Sequence, residues 1–568
     1  MKQLADLEAR LRRDIALRTW RTEPSGGFSQ VPLSDDWRVF GDALLQSGDE
    51  RGRLFDLEER WQRTGERWFA AQRDALLARW RPPESHDGWF AGFRGLVSIP
   101  RGDLEQTLAT LEEGDSRLVS GLTLDWGSRN GDPDTVVRSL VASTVLGRLQ
   151  HLDLYGTGAL LGAAHLSWIL QSGIELVTAK LSLDRDALEV LGHSSARPRC
   201  LFLDVGDDPP SDARPLALSR LPVLSSVEEL GLQTACGAAT LVDLAALPNL
   251  RRLRIGQYFG HADGIAALLL GAPNLVELQI SAPTLGQDEP VSIPAPCGRL
   301  EPLDLVLGER GFGFPTEEGH QSELAASGAL GRVRTLEHHG WPSPVPLEEL
   351  IGTTELEQLE VLRLPHAGLT TSDLDALTKL PRLHRLVLDG NRLGDEGLRW
   401  LARWPGISRL TELSLVDVGA TVAGVRDLVW SVDLACLERF AVGAVPGDAL
   451  CRTLAASPTL RPRVLSVLCH DVGIPWTGGL GVLGRSPVLD AIEHLILNGE
   501  RLDVDTIDVL LDSPKLRRLQ VLETRWQWRT ASTLEPDTLA ALRRTRDAWP
   551  ALRDIVGLAP AQWGGDQP

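Results

Sequence analysis

An α/β solenoid preceded by a small all-α domain is the fold that the sequence predicts. Three observations predict it. Leucines recur in a strand-then-helix pattern at a nearly constant period, prolines stand just before many of the strands, and the first eighty residues follow helical spacing instead. A repeat of this kind buries its apolar face only by stacking on its neighbours, which lines a concave side with parallel strands and puts helices on the convex side.

The clearest unit starts at Leu383 and reads L-x-x-L-x-L-x-x-N-x-L through Leu393. Its L-x-L alternation predicts a short strand with one buried face. Asn391 suits the turn that follows, where its amide can satisfy backbone groups left over as the strand ends. Leu398 and Leu401 then lie at helical spacing. Related cores begin near Leu149, Val227, Leu250, Leu275, Leu300, Leu359, Leu410, Leu437, Ile492 and Leu516, with weaker ones near Val119, Thr178, Cys200, Val333 and Pro462. From Leu149 to Leu516, 14 steps cover 367 residues, about 26 apiece. Pro248, Pro273, Pro381 and Pro514 each stand two residues before such a leucine, stopping the preceding helix and setting an extended lead-in. Ser372-Asp373 reads as a helix cap ahead of Leu374, Leu377 and Leu380. The pattern resembles the leucine-rich repeat, and its strand–turn–helix alternation resembles the ribonuclease-inhibitor-like branch. The resemblance covers residues 117–530 and implies a curved solenoid.

Residues 1–81 read as a separate helical domain. Leu4, Leu7, Leu11 and Ile15 form one apolar stripe, Leu54, Leu57 and Trp61 another, and a Pro/Gly-rich loop from Arg21 to Leu33 separates them. The run from Arg38 to Glu58 keeps Gly-Asp-x-Arg-Gly at positions 48–52. It resembles the bacterial repeat-companion domain, a module found before leucine-rich and other repeats, notably in myxobacteria and planctomycetes. Phe40, Gly41, Ala43 and Glu58 depart from that module's Tyr, Ala, Trp and Gln, and the resemblance implies architecture only. Gly48 is placed to end one helix and Asp49 to cap the next, with Arg51 and Asp42 within reach of pairing. Trp61, Trp68, Trp80 and Trp89 are expected to pack this domain onto the first repeat. Residues 82–116 read as junction and N-terminal cap. Residues 531–568 read as a C-terminal cap built on Leu539, Leu542, Trp549 and Leu552, followed by a tail that frays from Ala559.

The chain has 568 residues and a formal charge of −19, with 43% hydrophobic and 24% charged residues. Residues 1–81 hold 15 basic and 14 acidic side chains, so the acidity belongs to the repeats. That charge disfavours nucleic acid and anionic membranes as partners. Cys200, Cys236, Cys297, Cys436, Cys451 and Cys469 form no C-x-x-C pair and read as buried thiols of a reducing compartment. With an acidic, non-apolar N-terminal stretch and no 18-residue apolar run, a cytoplasmic location is expected.

Searches for chemistry return weak signals. Gly479-Leu480-Gly481-Val482-Leu483-Gly484 matches G-x-G-x-x-G but precedes a strand, whereas a dinucleotide fingerprint follows one. Gly192-His193-Ser194-Ser195-Ala196 falls one glycine short of a nucleophile elbow. His338 and His339, adjacent on a strand, point to opposite faces and do not chelate together. No cofactor, metal or catalytic residue is expected.

The surface left is the row of strand residues that point away from the leucines: His151 and Asp153, Arg252 and Arg254, Glu277 and Gln279, Asp304, Glu337, Arg363, Arg385, Glu412, Arg439, His494, Arg518 and Gln520. Charges of both signs alternate along it, which suits a protein partner better than a polyanion. Arg252, Arg254, Glu277, Arg363, Arg385, Glu412 and Arg439 are the candidate contacts, with Tyr258 and Phe259 as aromatic anchors. The function expected is a non-catalytic scaffold or adaptor, monomeric, binding a protein. The alternatives are a hydrolase using Ser194 or Ser195 and an envelope-associated binder.

Overall fold

The structure is a computed structural model. It describes residues 2–21, 35–47, 49–64, 69, 72, 76, 88–90, 93–99, 104–113, 118–124, 133–155, 160–206, 217–260, 262–285, 300–307, 327–338, 356–431, 433–443, 446–468, 476–498, 504–523, 541, 549, 551–552 and 554–556. Gly48, Trp68, Trp80, His339, Leu539, Leu542, Cys297, Cys469 and the tail from Ala559 lie outside the described residues, as do the side chains of Trp61 and Trp89. The chain forms two compact units. One comprises Met1–Gly260, Ala267–Leu278 and Asp288–Leu300, and the other His261–Ala266, Gln279–Gln287 and Glu301–Pro568.

The first unit opens with three helices, α1 (Lys2–Arg21), α2 (Asp35–Gln46) and α3 (Gly52–Thr64). Leu7, Leu11 and Ile15 of α1 bury against Trp37, Phe40, Leu44, Phe55 and, from the start of the repeats, Leu118. Trp37 stacks on Phe55 at 5.4 Å and donates from Nε1 to Asp14 at 2.6 Å, so its polar edge is satisfied within the core. The Asp49 carboxylate accepts from the Arg51 amide at 3.0 Å, which closes the turn before α3 and does not cap the helix's own first turn. The Arg51 guanidinium returns to Asp49 at 2.7 Å and does not reach across to Asp42, because the Asx-type turn already holds that carboxylate beside it. Gly52 lets the two helices meet: a Cβ there would lie 2.6 Å from the Gly41 carbonyl oxygen.

Strands then follow in order: β1 (Gly88–Phe90), β2 (Phe93–Ile99), β3 (Gly121–Leu124), β4 (His151–Leu154), β5 (Thr178–Leu183), β6 (Cys200–Val205), β7 (Glu229–Cys236), β8 (Arg252–Gly260) and β9 (Glu277–Leu285). β1 is antiparallel to β2, and β2 through β8 each run parallel to the next. The ladder thus begins at Phe93, inside the segment read as a junction. Helices at Leu104–Glu113, Pro133–Ala142, Ala163–Gln171, Arg185–His193 and Ala238–Leu244 connect the strands, as a parallel crossover requires.

The second unit repeats the plan with β10 (Leu303–Leu307), β11 (Val333–His338), β12 (Val361–Arg363), β13 (Arg385–Val387), β14 (Glu412–Leu415), β15 (Arg439–Gly443), β16 (Val464–Leu468), β17 (His494–Asn498), β18 (Val521–Glu523) and β19 (Asp554–Val556), all parallel and in chain order. Leu386, Leu388, Leu398 and Leu401 of the best-defined unit are fully buried, each removal from water contributing roughly 1.5–3 kcal/mol. Asn391 is buried too. Its amide donates to the Leu364 and Leu388 carbonyls, both at 2.8 Å, and its oxygen accepts from the Leu369 amide at 3.0 Å. One side chain thereby ties two successive repeats. The chain is an α/β solenoid of the leucine-rich-repeat type; the helices that connect the strands back the leucine side of each unit's sheet, and in the first unit α1 lies on the other side.

Two local readings are corrected. Leu516–Arg518 is a 3-10 turn, and the strand starts at Val521 with Leu519 and Leu522 in the core. Leucines at 516, 519 and 522 repeat every three residues, so the pattern can be laid on them in two registers; Arg518 and Gln520 consequently do not occupy the face positions, which belong to Val521 and Glu523. The helix at residues 371–379 is capped by Thr370, not Ser372, through a reciprocal box with Asp373: the Thr370 amide donates to the Asp373 carboxylate at 2.8 Å. It winds as a 3-10 helix.

Because the Asn391 contacts are buried and span two repeats, Asn391→Ala should lower stability by about 2–4 kcal/mol. Urea unfolding followed by circular dichroism measures it, read on the earliest transition since repeat arrays can unfold in stages. The half-buried neighbour His384→Ala should change little; an equal loss in both variants would contradict the tie.

Candidate partner-binding face

Strand residues that alternate with the buried leucines point to the face of each unit's sheet opposite the connecting helices. In the first unit, register aligns His151, Thr178, Cys200, Glu229 and Arg252 in one row and Asp153, Lys180, Phe202, Gly231 and Arg254 in the next. The first row is largely covered by the chain itself. Helix α1 packs on β2 and β5, the Thr178 hydroxyl lies 3.5 Å from the Ala16 carbonyl oxygen, and Arg13 pairs with Glu175 at 2.5 Å. His151, expected at the surface, is 1% exposed with Nδ1 2.7 Å from the Thr178 hydroxyl. Burial, with the positive charge of Lys180 adding to it, pushes the His151 pKa down to about 3. Burial likewise raises the carboxyl of Asp153, which Lys180 at 3.8 Å partly restrains.

Beyond the helix lies a run of ion pairs. Arg252 pairs with Glu229 and, at 3.2 Å, with Glu277, and Arg254 reaches Glu277 at 3.6 Å. Glu229 is only 7% exposed, and Arg252 is among the groups that compensate its charge. Phe202, on the neighbouring strand, meets Tyr155 edge to face at 5.4 Å. Tyr155 is 36% exposed, whereas Tyr258 is fully buried. Tyr258 is therefore not a surface anchor: strict alternation would set it on the side of Arg252 and Arg254, but it lies past the irregularity in the β7–β8 pairing and is buried, and the exposed tyrosine is Tyr155. The side chain of Phe259 lies outside the described residues.

In the second unit, Arg363 lies between Glu337 at 3.7 Å and Glu412 at 3.5 Å, and Asp304 pairs with Arg334 at 3.5 Å. His494 is 3.5 Å from Glu523. Arg385, Glu412 and Arg439 are level on adjacent strands. Since Glu412 turns toward Arg363, both flanking arginines stay exposed and form no ion pair or side-chain hydrogen bond with a described residue. Past Arg439 the same face is mixed, with half-buried Ala441, Val464, Leu468, Ile496 and Val521 interleaved with Ser466, His494, Asn498 and Glu523. The charge alternation of the sequence therefore divides: Arg252 and Arg254 are held by Glu229 and Glu277 and Arg363 by Glu337 and Glu412, whereas Arg385 and Arg439 form no ion pair with a described residue.

The motifs of catalytic appearance have structural positions. Gly479 and Gly484 lie inside the helix Thr477–Gly484, where a Cβ on Gly479 would come within 2.2 Å of the Asp448 carbonyl oxygen; the glycines serve helix packing. Ser194 is the C-cap of the helix Arg185–His193, and its hydroxyl donates to the Leu191 carbonyl at 2.7 Å. A nucleophile elbow instead places serine between a strand and the helix that follows. Ser194 and Ser195 line a cleft of about 560 Å³ together with Arg13, Glu175, Arg197 and Arg199, and no histidine lines it. Arg197 there donates to the Ala196 carbonyl at 2.7 Å. Among the described residues no cluster of three His, Cys, Asp or Glu is placed to hold a metal, and no helix is long and apolar enough to cross a membrane. Cys200, Cys236 and Cys451 are buried free thiols, while Cys436 is exposed.

No protein-family model and no curated protein matches the chain. Solved structures do. The yeast Rad7–Elc1 complex aligns at 14% identity over 70% of this chain and 84% of that one, with a TM-score of 0.34. The mouse RP105/MD-1 complex aligns at 14% identity over 74% and 69%, with a TM-score of 0.38.

The depressed His151 pKa gives a signed prediction. The unfolded chain takes up a proton near pH 6.5 and the folded chain only near 3, so stability present above 6.5 is lost as pH falls through that window, up to about 4–5 kcal/mol in all. Asp153, whose folded pKa is raised, acts oppositely in the carboxylate range, so the net loss concentrates in the upper part of the window. Urea midpoints between pH 7.5 and 5 should fall for the wild type and flatten in His151→Gln; equal slopes would contradict the buried, neutral histidine.

Proposed function

We propose that the chain is a non-catalytic protein-interaction scaffold or adaptor that binds a protein partner through the face of its repeats opposite the connecting helices. The observation that supports this most is the unequal use of the arginines. Arg252, Arg254 and Arg363 are held by Glu229, Glu277, Glu337 and Glu412, whereas Arg385 and Arg439 stand exposed with no ion pair to a described residue. Exposed arginine on a face of mixed polarity is a common anchor of protein interfaces. The mixed signs and overall acidity argue against nucleic acid and anionic membranes as partners.

In this reading the domain at residues 1–81 is a built-in occupant of the first strands, and the repeats of residues 117–530 supply the rest of the face. Residues 82–116 and 531–568 add a ladder strand at either end. The protein is cytoplasmic and monomeric, and the three buried thiols support a reducing compartment. A bacterial origin of the repeat-companion type is supported by the run at positions 38–58.

Capture of partners from native lysate by the full-length chain tests the reading. Arg385→Glu with Arg439→Glu should cut capture about tenfold or more, as expected for lost charge-assisted contacts, at an unchanged melting temperature. Arg252→Glu should instead lower the melting temperature, because it sets a third carboxylate against Glu229 and Glu277. Full capture by the Arg385/Arg439 variant would overturn the assignment.

A further inference from the structure

We infer that the face of β4 to β6 opposite the connecting helices receives an arginine side chain of the protein partner, seated on the Tyr155–Phe202 ring pair and held by the Asp204 carboxylate. The inference rests on the protein-binding reading above and deepens it by naming what the partner presents to the first unit. Tyr155 follows β4 directly and stands on the face of Asp153, and Phe202 and Asp204 stand two residues apart on that face of β6. The tyrosine reaches across the strand between them. Its ring meets Phe202 edge to face at 5.4 Å, and Ser182, level with Asp204 on β5, is fully buried. Room for the Phe202 ring comes from Gly231 on the next strand, where a Cβ would lie 2.3 Å from a ring carbon.

The two carboxylates of this patch differ in what they hold. Asp153 accepts from the Tyr155 amide at 3.1 Å and faces Lys180 at 3.8 Å. Asp204, half-buried, accepts from the Ser182 hydroxyl at 3.4 Å and forms no ion pair with a described residue. Its charge is felt at the ring: burial raises the Tyr155 phenol, and Asp204 and then Asp153 raise it further. Ring faces and carboxylate attract charge of the same sign, so an aromatic pair beside an uncompensated carboxylate suits a cation. Arginine suits it better than lysine. Its planar guanidinium stacks on a ring while its in-plane N–H groups reach a carboxylate, and it is more weakly hydrated than an ammonium. The chain's charge of −19, carried by the repeats, favours a basic partner at long range. At physiological ionic strength that field is screened beyond about 8 Å, which leaves the local contacts to select the side chain.

The test uses the full-length protein labelled with 3-fluorotyrosine and read by fluorine NMR. The chain has two tyrosines, so Tyr155 reports on the site and the buried Tyr258 on the fold, with Tyr155→Phe assigning the two signals. The probe is a blocked peptide, acetyl-G-S-R-S-G-amide, at about 0.15 M salt. The Tyr155 signal should shift saturably in the millimolar range while that of Tyr258 stays in place. Asp204→Asn should weaken binding about tenfold, Phe202→Leu by a smaller factor, and the peptide with lysine for arginine should bind several-fold less tightly. No saturable shift up to about 20 mM, or an equal shift with glutamine in place of arginine, would overturn the inference. Equal affinity for the lysine peptide would overturn the choice of arginine. Capture of partners from lysate should also fall in Asp204→Asn, and full capture by that variant would overturn the link to the partner. If capture depends on Arg385 and Arg439 while this peptide leaves Tyr155 unmoved, the interaction reading stands and this inference falls. If the peptide binds through Asp204 while capture is indifferent to Arg385 and Arg439, the cation site stands and the assignment of those arginines falls.

Discussion

One backbone contact recurs at the start of nearly every strand, and the solenoid depends on it. The carbonyl of the residue just before a strand accepts from two successive amides at the start of the next repeat. Ser120 O takes the amides of Gln150 at 2.7 Å and His151 at 2.8 Å, Glu228 O those of Arg251 and Arg252, Thr411 O those of Glu438 and Arg439, and Glu493 O those of Gln520 at 2.7 Å and Val521 at 3.0 Å. A parallel strand cannot pair with itself, so each repeat leaves a row of amides that only the next can satisfy. Loops and helices of different length are tolerated between these points because the contact fixes where each strand begins. Leucine packing behind the sheet then follows, since period-two alternation sends one set of side chains to the helices and the other to the open face.

The same constraint decides what the open face can do. Side chains on it stand in rows one strand spacing apart, close enough for arginine and glutamate on neighbouring strands to find each other. Where the two alternate without interruption, as from Glu229 to Arg254, they neutralise one another. Where a carboxylate is drawn aside, as Glu412 is by Arg363, the arginines on either side are left for something else.

Much of the architecture was legible in the sequence. The Leu383–Leu401 unit has every predicted part in place, including Asn391 as the side chain that satisfies the turn; the Pro-Asn-Leu lead-ins form turns and not the extended entry expected, and Asn249 and Asn274 there donate to carbonyls of the preceding repeat. Errors arose where one pattern fits two registers, as with Leu516, Leu519 and Leu522, or where the ladder register shifts past the leucines and strict alternation no longer tells the buried side, as with Tyr258. The covered row at His151 and Thr178 could not be read at all. Its cover, α1, lies some 160 residues away in the chain, and a contact at that separation leaves no periodic trace. Division of the arginines into paired and unpaired was equally hidden, since all of them occupy equivalent sequence positions and only geometry separates them.

Hydrogen–deuterium exchange of the intact chain tests the central claim, that stacked repeats protect one another and α1 shares in the stack, most directly. Slow exchange should recur at the start of each strand, at Gln150, Arg251, Thr411, Glu438 and Gln520, and should extend through the buried stripe of α1 around Leu11 and Ile15. Exchange in α1 as fast as in an unstructured peptide, with Thr178 unprotected, would contradict the built-in occupant. Loss of the periodic protection would contradict the ladder itself.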